Sequence, residues 1–263
     1  MKYFGRKANI SIADVTFDSE EFGMEFEVTF DHDTEPNESQ ITLYNLNSTS
    51  LGEIKKHNQV LINAGYKGDV GQVLFGFVAS VSTSNEIDKK TNVKVIDKPL
   101  IKEDKTINKS YKQNIKASQL IRHLLSKLRI EAAINLPKDK LYAKGYEVDG
   151  NIEDEIASIA KDCGAIFYIN QGKAYIRKIQ SSTPPSFLLK PDTGLIGTPS
   201  PFEEDVDGKT VQGFNVECLL QHRITTGSVI KIESSTANGV YYVRGGKHRW
   251  GREESITELE VIV

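Results

Sequence analysis

Apolar and polar residues alternate from the start of the chain to about residue 98. Met24, Phe26, Val28 and Phe30 are interleaved with Glu25, Glu27 and Thr29, which predicts a strand with one face in a core and the other in water. Looser runs of the same kind at Gln40–Leu46, Val60–Ala64, Gln72–Ser82 and Thr91–Asp97 are separated by turn-rich pieces, Pro36-Asn37-Glu38 and Gly65-Tyr66-Lys67-Gly68-Asp69 among them. This predicts an antiparallel β domain over 1–98. In Gln72–Ser82 both faces are apolar, Val73, Phe75 and Phe77 on one and Leu74 and Val78 on the other, so that strand is expected to be covered on both sides.

Near residue 99 the period changes. Lysines 98, 102, 105, 109, 112 and 116 punctuate a polar link, and then Leu120, Ile121, Leu124, Leu125 and Leu128 fall at helical spacing, predicting a helix over Ser118–Ile130. A second helix is predicted over Ile152–Cys163. Asn151 is its N-cap, Ile152, Ile156, Ile159 and Ala160 form its buried stripe, and Gly164 closes it. Ala165–Ile169 and Ala174–Ile179, joined through Asn170-Gln171-Gly172, read as a hairpin, so 99–180 is expected to be an inserted α/β unit. Ser181-Ser182-Thr183-Pro184-Pro185 reads as a linker. From 181 to 263 the period returns to two, with Phe214, Val216 and Cys218, then Val229–Ile232, Val240–Arg244 and Thr257–Val263, and with Asn238-Gly239 and Gly245-Gly246 as turns. The expected fold is mainly β, two antiparallel barrel-like modules plus a small two-helix and hairpin insertion.

The two β regions share an order. Val60-Leu61-Ile62, then Gly71-Gln72-Val73-Leu74-Phe75, then Thr91–Asp97 match Val229–Ile232, Gly239-Val240-Tyr241-Tyr242-Val243 and Thr257–Val263 to within a few residues, as a duplicated module would.

Composition narrows the function. The chain has 263 residues with 33 basic and 36 acidic side chains, a formal charge of −3, which argues against a protein that coats polyanions. No stretch approaches the roughly 18 consecutive apolar residues of a membrane span, and Lys2, Arg6 and Lys7 are not followed by the apolar run of a secretory signal. Cys163 and Cys218 are too few for a disulfide framework, lack metal-ligand spacing and are expected to be buried. No metal or cofactor is expected. Gly65–Gly71 lacks the order of a phosphate-binding loop, and Asp31-His32-Asp33 with Glu35 has Pro36 where a calcium loop needs Gly. His32, His57, His123, His222 and His248 are scattered outside any catalytic spacing and read as surface or interface residues.

The residues Ile41-Thr42-Leu43-Tyr44-Asn45-Leu46, Val60–Ala64 with Gly65–Gly71, and Val73-Leu74-Phe75-Gly76-Phe77-Val78 resemble the opening β module of the baseplate or tail-tip hub proteins of tailed bacteriophages and related phage-tail-like particles, of the Mu type. The two helices with their hairpin are similar to the inserted unit of those hubs, and Gly239-Val240-Tyr241-Tyr242-Val243 with Lys247-His248-Arg249-Trp250 to their closing module. The resemblance implies a structural, non-enzymatic virion component. It implies a homotrimer whose two tube-like modules per chain make a pseudo-sixfold ring joining the tail tube or a distal tail protein to a spike or tip protein. DNA is then only passing cargo, with no membrane insertion, and the protein sits in the virion tail after assembly in the bacterial cytoplasm. Glu25 and Glu27, on the polar face of their strand, are the candidate channel-lining residues.

Two other readings compete. Nine lysines between 89 and 116 against Asp97, Glu103 and Asp104 suggest a nucleic-acid-binding β-barrel protein, although Tyr111 is the lone aromatic there. A tail-associated cell-wall hydrolase would need paired carboxylates. Glu25 and Glu27 lie on one strand face, but no clustered tryptophans accompany them, Trp250 being the only one.

Overall fold

The computed structural model describes residues 4–33, 35–85, 87–98, 105–180, 186–206 and 208–263. The chain divides into two compact units. One comprises Met1–Asp31, Asn37–Leu100 and Gln180–Val263, the other His32–Pro36 and Ile101–Ile179.

The first unit is built on one sheet, 13-stranded among the described residues. One set of strands lies in the order Met24–Phe30, Glu38–Tyr44, Lys89–Ile96, Asp69–Asn85, Gln59–Tyr66, continued by the Arg6–Ile12 and Val15–Asp18 hairpin. A second set lies in the order Leu195–Val206, Lys209–Leu219, Ser255–Ile262, Asn238–Trp250, Val229–Glu233, the last flanked by Phe187–Leu189. The connectivity of the five core strands is the same in both sets. The register agrees as well: Phe77 faces both Gln59 and Ile96, and Tyr242 faces both Val229 and Ile262. The next residue makes the same two backbone hydrogen bonds in each set. The Val78 N–H donates to the Asn58 carbonyl at 2.9 Å while His57 donates to the Val78 carbonyl at 2.8 Å, and Val243 does the same with Ser228 at 2.9 Å and Gly227 at 2.8 Å. His57 and Gly227 both sit at positive φ, 72° and 75°. A bulge then follows in each long strand, between Val78 and Ser80 and between Val243 and Gly245. The sequence match holds without offset for Thr91–Ile96 against Thr257–Ile262. It is three residues out in the long strand, where Leu74, not Gly71, corresponds to Gly239.

The two sets meet where the second half of Asn238–Trp250 pairs with Met24–Phe30, Gly246 opposite Phe30 and Trp250 opposite Phe26. The cores interlock there: Trp250 and Leu220 are buried with the first set, and Phe30 is buried with the second. Gly245-Gly246 is therefore not a turn. It lies inside a strand, at the bulge, and the small residues serve close packing: a Cβ on Gly246 would stand 2.2 Å from the Glu258 carbonyl oxygen and 3.0 Å from the Phe30 ring. Gly246→Ala is expected to lower stability by about 1–3 kcal/mol, the usual range for overpacking, in a urea titration.

In the second unit the helices run Ala117–Leu128 and Ile152–Asp162, and the Asn151 side chain accepts the Glu153 N–H at 2.8 Å. The hairpin is Ile166–Asn170 with Lys173–Arg177, turned by Gln171 and Gly172 at positive φ. Glu131–Asn135 adds a parallel third strand, Thr106–Tyr111 pairs Tyr146–Asn151, and Ile115–Lys116 pairs Leu141–Tyr142. The expected polar link thus contains strands. Thr106–Tyr111 is exposed or half-buried throughout, so it carries no alternation that a sequence could show. The expected Ser181–Pro185 linker lies outside the described residues. Both cysteines are buried, and burial pushes the Cys218 thiol up to about 12.

Candidate functional site: the polar face of the continuous sheet

Alternation along each strand gives the sheet one apolar side and one polar side, and pairing brings the polar positions into contiguous rows. Glu25 is exposed and Glu27 half-buried, while Met24, Phe26, Val28 and Phe30 between them are buried. Glu25 faces Thr42, and Glu27 lies between Gln40 and Arg249. The rows continue through Lys94, Asn92 and Lys90 to Ser80, Ser82 and Ser84 on one side, and through Lys247 and Glu258 to Glu217 on the other.

Charges on this face are matched. Lys247 Nζ donates to Glu27 Oε1 at 3.0 Å, and Arg249 reaches Glu258 at 2.8 Å, Glu254 at 2.9 Å and Glu27 at 3.9 Å. Lys94 lies 3.4 Å from Glu38, and Lys90 stands over the Tyr44 ring at 5.8 Å. Arg244 bonds Glu260 at 2.9 Å and also Glu204. Burial, and then the carboxylate of Glu25 beside it, hold the Tyr44 hydroxyl above its ordinary range. These exposed pairs add little stability each, about 0–1 kcal/mol, but they set a carboxylate or a ring against each of Lys90, Lys94, Lys247, Arg244 and Arg249. Glu27 is therefore engaged by two cations rather than standing in an acidic row, a pairing invisible in sequence because its partners lie some 220 residues away.

The other sequence candidates are placed as follows. The lysine-rich stretch is divided between the two units. Lys89, Lys90 and Lys94 belong to the sheet unit, whereas Lys105, paired with Glu153 at 2.9 Å, and Lys109, 3.2 Å from His123 Nε2, belong to the other. Lys102 lies outside the described residues. Gly65–Gly71 covers a hairpin turn between paired strands. In the acidic turn the Asp33 carboxylate accepts the Glu35 N–H at 2.9 Å. His248 is not a surface residue. It is buried on the apolar side, its ring 4.9 Å from that of Phe30 and its Nδ1 2.9 Å from Thr257 Oγ1, because the long strand turns that position into the core. Among the described residues no group of three or more His, Cys, Asp or Glu could hold a metal ion, and no helix is long and apolar enough to cross a membrane.

Comparison with known proteins bears on this architecture. No curated protein matches the sequence. A tail protein from Neisseria meningitidis shares the fold with a TM-score of 0.73 at 9% identity, covering 99% of this chain and 97% of that one. A 43 kDa tail protein of prophage MuSo2 from Shewanella oneidensis superposes with a TM-score of 0.69 at 8% identity, covering 98% and 96%. An Escherichia coli component of the type VI secretion system, described as structurally similar to T4 tail proteins gp27 and gp5, gives 0.63 at 12% identity over 96% of this chain and 76% of that one. The family described as baseplate hub gp41 matches residues 38–245, which span four of the five core strands of the first set (all but Met24–Phe30), the insertion, and the second set as far as the first half of Asn238–Trp250. The chain belongs to that baseplate hub family and is a structural part of a phage tail rather than an enzyme.

Proposed function

We propose that three copies of this hub close into a ring in which the modules 1–98 and 181–263 alternate as six similar segments, with 99–180 inserted as a separate unit. The ring joins a sixfold tail tube or distal tail protein to a threefold spike or tip protein, within a virion tail assembled in the bacterial cytoplasm. The observation that carries this reading is the repeated strand order and register. A chain holding two such modules offers six matching surfaces from three copies, which is what a junction between sixfold and threefold partners needs.

In this reading the polar face lines the channel, with Glu25 and Glu27 on its wall. DNA passes as cargo because the cations on that face are already held by carboxylates or a ring and offer phosphates little to grip. Reversing both acids, Glu25→Lys with Glu27→Lys, replaces two negative charges by two positive ones and releases Lys247 and Arg249 from Glu27. Tails should still assemble, while DNA ejection measured in vitro slows or stops; ejection at the native rate would remove both residues from the channel wall.

A further inference from the structure

The internal repeat uses one of its seams and leaves the corresponding one open. Within the chain, the Gly246–Trp250 half of the long strand pairs with Met24–Phe30. The corresponding long strand, Asp69–Asn85, is held on the same edge only as far as Val78. Beyond it, Ser80–Asn85 meets no further strand on that side among the described residues. The counterpart of Met24–Phe30 is Leu195–Val206, which forms the end of the sheet. We infer that these two free edges pair with each other between copies, Ser80–Ser84 of one chain against Ser200–Glu204 of the next. This rests on the ring reading above and names its contact. Carrying the internal register across, with Val78 in the place of Val243 and Ser200 in the place of Glu27, sets Ser82 opposite Phe202 and Val81 opposite Glu203.

Three observations support the second copy as occupant. Ser80, Ser82 and Thr83 are exposed, and Ser80–Asn85 carries no lysine, no other charge and no proline of the kind that normally blocks an edge. The contact is head-to-tail, since the two edges differ, and such a contact propagates from copy to copy, closing into a ring where the rotation permits, rather than stopping at an isolated pair. The charges also match. At the internal seam Thr226 Oγ1 donates to the Asp31 carbonyl at 2.9 Å. The corresponding residues are Lys56 and Glu204, so the acidic stretch Glu203-Glu204-Asp205, in which Glu204 is held by Arg244, falls on the exposed basic turn Lys55-Lys56-His57. Pro201 removes one donor from the ladder, which keeps this edge from pairing indiscriminately.

The two seams differ in kind. The internal one is closed by aromatic rings, Phe26 stacked on Trp250 at 6.0 Å and Phe30 against His248. The seam between copies has no such ring pairs and brings opposite charges together, which suits chains that fold singly and then assemble, and makes assembly weaken with salt.

A chain carrying Ser82→Cys and Phe202→Cys tests the seam, because the native Cys163 and Cys218 are buried and stay silent. Oxidation should give a ladder of covalent species ending at the trimer, and mixing the two single variants should give only the crosslinked pair. A protein that is a trimer in solution yet forms no such crosslink overturns the seam and leaves the hub reading standing. A closed covalent dimer overturns the three-copy ring, and a chain that stays monomeric and uncrosslinked at the highest attainable concentration overturns both.

Discussion

Replacing Trp250 with alanine is expected to cost about 3–5 kcal/mol, the range for emptying a large aromatic site in a core. Trp250 ends the long strand of the second set yet is buried, 7% exposed, in the core of the first. It stacks on Phe26 at an interplanar angle of 10°, and Arg6 covers its other surroundings at 5.6 Å from the ring. The loss falls where the two strand sets share a core, so the whole sheet unit should become easier to unfold rather than one half of it. Urea titrations followed by fluorescence of the remaining tyrosines and by circular dichroism should shift together. Val240→Ala, on the same strand but 43% exposed, should move the midpoint hardly at all. A Trp250→Ala protein within about 1 kcal/mol of the native one would mean that the junction does not hold the sets together.

Two buried groups give the sheet opposite responses to acid. His248 Nδ1 lies 2.9 Å from Thr257 Oγ1, which also accepts the Gln221 N–H at 3.1 Å; burial pulls the imidazole's pKa down to about 3, so the ring is neutral at pH 7. With the unfolded value near 6.5, this residue's contribution is complete above pH 6.5 and is lost as the pH falls. Asp97 behaves inversely. Its carboxyl accepts the Asn37 N–H at 3.0 Å and the Asn37 amide at 2.9 Å, yet burial outweighs these bonds and pushes its pKa up to about 6. Its contribution is complete below about pH 4 and is lost as the pH rises through 6. At roughly 1.4 kcal/mol per unit, each amounts to about 3 kcal/mol between pH 7 and 4, with opposite sign, so the native protein hides both. Asp97→Asn should unmask the histidine and lose about 3 kcal/mol on going from pH 7 to 4. It should fold well, since the new amide can donate to Asn37 Oδ1, which is buried without a partner. His248→Asn, whose amide can serve Thr257 as donor or acceptor, should instead gain stability over the same interval relative to native. Parallel pH profiles for the two variants would refute this assignment.

How much of this was legible beforehand follows from what each feature depends on. The Met24–Phe30 strand, the helices and the Ile166–Arg177 hairpin could be read because local periodicity and caps determine them. The resemblance to phage hubs was carried by the order of such segments. Gly245-Gly246 reads as a turn because two glycines mark a turn and a close-packed bulge alike, and only the neighbouring Glu258 carbonyl distinguishes them. Thr106–Tyr111 escaped because a strand with little buried surface carries no pattern. His248 looked like a surface residue, though its position on the strand, two residues from Trp250 and on the same face, was a signal that could have placed it in the core. The ion pairs of Glu27 depend on a strand near the other end of the chain, and no local rule reaches that far.

The most direct test of the account is the absolute mass of the purified protein, measured by light scattering on a sizing column over a range of concentration and salt. A species of three times the chain mass, dissociating as salt is raised, is the predicted result. A dimer, or a monomer that persists at every concentration and at low salt, would contradict the threefold ring on which the proposed function stands.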